Sequence, residues 1–131
     1  MNITEMIKEA HDNAIEKGFY PEGENKNIGE LLMLIVSELG EALEAHRCGR
    51  FIPKELDTSY FYNTFEKDGI KHSYMITFFE GYIKDTFEDE IADTFIRLFD
   101  LCEYLEIDIE KHITAKMAYN KTRAHKHGKE Y

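Results

Sequence analysis

Between Ile28 and Arg47 apolar side chains recur at Ile28, Leu31, Leu32, Ile35, Leu39, Ala42 and Leu43, the three-and-four spacing of one helical face. With Cys48-Gly49 closing the run, this predicts a long amphipathic helix over about 28–47. The same period appears on both sides of it. Ile3, Met6, Ile7, Ala10, Ala14 and Ile15 predict a helix over about 3–17, stopped by Gly18 and Pro21. Ile91, Phe95, Leu98, Leu101, Cys102 and Leu105 predict another over about 87–105, opened by the Thr86-x-x-Asp89 capping pattern. A shorter helix is expected over Tyr74 to Ile83, and Asp108 can cap a last one whose Ile109, Ile113 and Met117 face inward. From about 50 to 73 the period fails among Pro53, Tyr60-Phe61-Tyr62, Phe65 and Gly69, so that stretch reads as an irregular insert with room for one short helix. One valine and two prolines in 131 residues complete the case for an all-α fold. The expectation is a single domain over 1–131, a bundle of four to five helices.

Charge narrows the function. Sixteen Lys and Arg against 26 Asp and Glu leave a formal net charge of −10, which repels phosphate backbones and anionic lipid at long range. Neither nucleic acid nor a membrane is an expected partner. Cys48 and Cys102 form no C-x-x-C pair and are too few for a disulfide framework, so both read as reduced thiols. No two glycines stand at i and i+2, which removes the dinucleotide-binding loop, and no glycine is followed by the Lys-Ser/Thr that a P-loop requires. The first residues carry charges every few positions, and the longest apolar run, Leu31 to Val36, is far too short to span a bilayer. A cytoplasmic protein is expected.

The chemistry concentrates in two acid-x-x-acid pairs, Glu38 with Glu41 and Glu90 with Asp93, each on one of the two longest expected helices. Residues three apart lie about 60° apart around a helix and about 4.5 Å along it, so each pair projects from one face. That face borders the apolar stripe, where carboxylates cost several kcal/mol unless something pairs with them. Four such groups carry a charge of about −4, which two magnesium ions would cancel; hard cations, Mg²⁺ or Mn²⁺ in its place, suit all-oxygen ligands. Solvated surface acids are the plainer account in an acidic chain. A di-iron bundle is excluded because no histidine stands three residues after a glutamate. Lys116, Asn120 and Arg123 share the face of the last helix, and the basic tail with Lys129 follows, a set able to meet the outer phosphates of a polyanion. Cations that merely suit a helix C-terminus would look the same.

The segments Ser37-Glu38-Leu39-Gly40-Glu41-Ala42-Leu43-Glu44-Ala45 and Glu90-Ile91-Ala92-Asp93, followed by Lys116, Asn120 and Arg123, resemble the MazG-like all-α nucleoside triphosphate pyrophosphohydrolases. The resemblance covers about 28–47 and 86–129. It implies a MazG-like helical bundle assembled as a homodimer or homotetramer, with Glu38, Glu41, Glu90 and Asp93 as ligands of Mg²⁺. It further implies hydrolysis of a nucleoside triphosphate to monophosphate and pyrophosphate, with Lys116, Asn120 and Arg123 at the phosphates or sugar. Glu41 is the expected proton acceptor, and Lys116 and Arg123 would offset charge on the leaving group. The link over 42–89 is longer than in many relatives. Phosphoribosyl-ATP or deoxyuridine triphosphate hydrolysis, and a non-catalytic helical interaction module, stand as the alternatives.

Overall fold

The computed structural model describes residues 2–68 and 73–124, with side chains omitted for 65–68. Among these residues the chain is all-helical, with α1 (Ile3–Glu16), α2 (Ile28–Arg47), α3 (Ser59–Asp68), α4 (Ser73–Tyr82), α5 (Phe87–Tyr104) and α6 (Ile109–Lys121). Six helices stand where four to five were expected. The additional one is α3, inside the stretch read as irregular. Its period is hidden because Tyr60, Phe61 and Tyr62 are all aromatic while only Phe61 is buried.

The chain divides into two compact units, one taking residues up to Asn25 and from Leu98 on, the other Lys26–Arg97. In the first, α1 opens with a full capping box between Asn2 and Glu5. It closes on Gly18 at φ +81°, with Phe19 N–H donating to the Ala14 carbonyl and Gly18 N–H to that of Ile15. His11 Nδ1 lies 2.7 Å from Asp100 Oδ1, and the Tyr20 hydroxyl donates to Asp100 Oδ2 at 2.8 Å, tying α1 and the loop after it to the end of α5. Burial and then the Asp100 carboxylate hold the Tyr20 phenol well above its usual range. Ile7, Leu101 and Cys102 form the buried apolar set of this unit. On α6 no residue is buried: Ile113 and Met117, expected to face inward, are exposed, while near its start Thr4 Oγ1 donates to Glu110 Oε2.

In the second unit, α2 starts at Asn27, whose side chain accepts from Glu30 N–H, and ends at Gly49, φ +66°. Its buried face is Ile35, Glu38, Ala42 and Ala45. Leu32, Leu39 and Leu43, expected in the core, are exposed instead. They form with Val36 a second stripe at four-three-four spacing, offset from the buried one. α3 and α4 build a separate apolar cluster of Phe61, Met75 and Ile83, with Phe61 stacked on Phe78 at 5.1 Å. No helix is long and apolar enough to cross a membrane among the described residues.

Candidate metal centre

α2 and the first part of α5 run antiparallel, and several contacts fix their register. Phe87 N–H donates to the Arg50 carbonyl at 2.8 Å, and Ile52 N–H to Glu88 Oε2 at 3.1 Å. His46, Phe51 and Phe87 pack ring against ring with centroids 5.6 to 5.7 Å apart. Ala42 and Ala45, both fully enclosed, bring the two helices close. At the start of α5 the Thr86 hydroxyl donates to the Ile83 carbonyl at 2.6 Å and accepts from Asp89 N–H at 3.4 Å, while Asp89 Oδ2 accepts from Asp85 N–H. The expected Thr-x-x-acid cap is therefore present with its reciprocal bond moved one residue back, to Asp85.

This register sets Glu38 of α2 against Glu90 and Asp93 of α5, with one carboxylate oxygen from each lying within 4.8 Å of the others. Glu38 and Glu90 are buried and Asp93 is half-buried. Glu90 is 5 % exposed, and among the described residues no donor reaches its carboxylate. Burial and then the charges of Glu41 and Asp93 push its pKa up. Burial and then the charges of Asp89 and Glu38 do the same to Asp93. Such strain is what an all-oxygen cluster shows when its charge is under-neutralised, and the donor set fits a hard divalent cation. Glu41 is exposed and is not one of the three clustered acids, yet its charge is felt at both Glu90 and Asp93. It stands at the rim of the cluster.

One cation enters this constellation that sequence reasoning missed. Arg97 Nε donates to Glu38 Oε1 at 2.5 Å, and its charge also lowers the Asp93 pKa against the terms that raise it. The signal was present in the sequence, since Arg97 lies four residues after Asp93 and seven after Glu90, on the same face of α5.

The other expected site residues belong to the first unit, on and just after α6. Lys116 Nζ sits over the Tyr119 ring at 5.1 Å from its centroid and the Arg123 guanidinium at 6.0 Å, so one aromatic ring gathers both cations. Asn120 Oδ1 is buried with no hydrogen-bond partner, an acceptor prepared for a donor. Lys129 lies outside the described residues. Searches against protein-family models, curated proteins and solved structures match nothing to this chain.

Proposed function

We propose that this chain is a Mg²⁺-dependent nucleoside triphosphate pyrophosphohydrolase with a MazG-like helical architecture. The observation that carries the reading is Glu90, a 5 % exposed residue whose carboxylate has no donor among the described residues and lies within 4.8 Å of carboxylate oxygens of Glu38 and Asp93. Evolution does not need a bare carboxylate triplet for stability, since uncompensated buried charge destabilises a fold. Glu38, Glu90 and Asp93, joined by Glu41 at the rim, would hold Mg²⁺, with Mn²⁺ as a substitute. The ion would supply charge neutralisation at the phosphates and a more acidic water.

The chain's own groups do the rest. A water oxygen bonds to the α-phosphorus, the α–β bridging oxygen departs with pyrophosphate, and the water's proton passes to a carboxylate. Glu41 is the carboxylate assigned to that proton, because it is exposed and none of its hydrogen bonds to another side chain competes for it. By the family resemblance, Lys116 and Arg123 would balance charge on the departing pyrophosphate, Asn120, whose Oδ1 is an unsatisfied acceptor, would meet the sugar, and Lys129 would take an outer phosphate.

A homodimer or homotetramer belongs to the same proposal. The exposed stripe of Leu32, Val36, Leu39 and Leu43 on α2 has the spacing of a helix–helix seam, and Phe95 and Ile96 on α5 add to the uncovered apolar surface. The test is product analysis across a panel of canonical and modified nucleoside triphosphates with Mg²⁺. Pyrophosphate with monophosphate is expected from at least one of them; orthophosphate as the primary product, or no turnover of any, rejects the reading.

A further inference from the structure

We propose that Arg97 is a displaceable counter-cation: it occupies Glu38 while the acid cluster holds no divalent cation, and moves to a phosphate oxygen of the substrate once one is bound. This rests on the reading of the cluster as a metal centre and adds to it a residue that alternates between two partners.

Four observations carry it. The bond to Glu38 is a single one, from Nε to Oε1, so the four N–H donors on the two terminal nitrogens are not committed to that carboxylate. The pair is asymmetric, with the Arg97 side chain 43 % exposed and that of Glu38 9 % exposed, so the guanidinium has solvent to move into and the carboxylate has little. Arg97 is also too little charge for its surroundings. One unit of positive charge faces Glu38, Asp93, Glu90 and the nearby Glu41, and Glu90 receives no donor although it is 5 % exposed and directed at the other two acids. Finally, Arg97 lies one turn beyond Asp93 on the same face of α5, which keeps its swing at the mouth of the cluster.

A divalent cation at these carboxylates draws on the same Glu38 carboxylate that Arg97 holds through Oε1, and two positive groups on one carboxylate repel. The guanidinium is therefore expelled at the moment a cation arrives. A planar fork of donors set beside that cation matches the oxygens of a polyphosphate, where a side chain of different geometry would not. The arrangement predisposes the protein to bind metal and polyphosphate together: removing Arg97 should help the first and harm the second.

The experiment uses the full chain without nucleotide. Mn²⁺ affinity is measured by electron paramagnetic resonance titration for the wild type, Arg97→Gln and Glu90→Gln, and inorganic tripolyphosphate affinity is measured by calorimetry in saturating Mg²⁺. Arg97→Gln is expected to bind Mn²⁺ about threefold to tenfold more tightly than wild type and tripolyphosphate at least tenfold more weakly. As a check that does not depend on the variant folding, the Arg97 Nε–H resonance of the wild type should move during a Mg²⁺ titration with the midpoint of Mg²⁺ binding. If Glu90→Gln loses Mn²⁺ while Arg97→Gln binds it no better than wild type, or if the Nε–H resonance stays fixed, the metal centre stands and the exchange is overturned, leaving Arg97 a strut between α2 and α5. If wild type binds no Mn²⁺, the metal reading fails and the exchange with it.

Discussion

Replacing Glu90 by glutamine separates a metal centre from a structural acid cluster with one atom's change. Glu90 is almost fully buried, its carboxylate has no donor among the described residues, and carboxylate oxygens of Glu38 and Asp93 stand within 4.8 Å. A group in that position costs about 1 to 3 kcal/mol relative to a satisfied one. Glutamine has the same shape, carries no charge, and can donate its amide hydrogens to the neighbouring carboxylates. Glu90→Gln should therefore be more stable than wild type in EDTA by about 1 to 3 kcal/mol at neutral pH. The gain should depend on pH with a definite sign. The pKa values of Glu90 and Asp93 are raised in the folded state, so their ionised forms are what the fold disfavours. The penalty is absent below the ordinary carboxylate range near 4, grows as pH rises toward the elevated values, and is complete above them. In EDTA, wild type should thus approach Glu90→Gln in stability as the pH is lowered through that window. Adding Mg²⁺ should reverse the order at neutral pH, since a ligand at 100 times its dissociation constant stabilises wild type by about 2.7 kcal/mol and the variant by much less. Urea unfolding followed by circular dichroism, at pH 7.5 and pH 5, with EDTA or Mg²⁺, measures all four conditions. A Glu90→Gln protein that is less stable than wild type in EDTA, or that gains as much from Mg²⁺, refutes the reasoning.

Three further outcomes are expected. The paired change Leu39→Lys with Leu43→Lys, on the exposed stripe of α2, should convert an oligomer to a monomer at micromolar concentration in sedimentation velocity, without lowering the helix content of the chain; a wild type that sediments as one subunit contradicts the seam. Glu106 has φ +53° and occupies the left-handed position of the turn that ends α5, with Ile107 N–H donating to the Cys102 carbonyl and Glu106 N–H to that of Glu103, so Glu106→Gly should raise stability by about 1 kcal/mol in thermal or urea unfolding. Arg123→Ala should raise KM for the triphosphate and lower kcat if the guanidinium meets the transition state; steady-state kinetics indistinguishable from wild type would remove Arg123 and the basic tail from the phosphate-binding role.

Helix existence was legible in this sequence and helix facing was not. The 28–47 run shows its ends because Asn27 and Gly49 stop it chemically, and the expected bounds of that helix coincide with α2. What periodicity could not say was which of two apolar stripes turns inward. Leu32, Leu39 and Leu43 carry the stronger hydrophobic signal, yet the buried face is the one with Ala42, Ala45 and Glu38, since small side chains allow the close approach to α5 that Leu would block. The same limit explains α6, where a regular spacing of Ile109, Ile113 and Met117 marks a helix with no buried residue. In α3 the reverse holds: three consecutive aromatics conceal a helix that buries one of them. The expected end of the 87–105 run lies one residue past that of α5, where the left-handed position is Glu106 in place of a glycine.

For the acids the sequence carried more than for the core. Spacing alone puts Glu90 and Asp93 on one face of a helix, and the structure adds the partner from α2, Glu38, within 4.8 Å. It divides the two glutamates of α2 by burial: Glu38 lies on the inward face with Ala42 and Ala45, whereas Glu41, three residues on, faces solvent. That division follows from helical geometry, because a step of three residues turns about 60° short of a full circle and moves a side chain from the seam to its edge. A buried acid and an exposed acid on one helix have different uses. The first is largely shielded from solvent and gains most from a cation, while the second keeps access to solvent. Arg97 completes the division of labour, since its guanidinium on the opposite helix holds the Glu38 carboxylate in place through Oε1. A fold stabilised only by its own contacts would do better with leucine at Glu38 and Glu90; retaining two buried carboxylates is intelligible when their stabilising partner arrives from outside the chain.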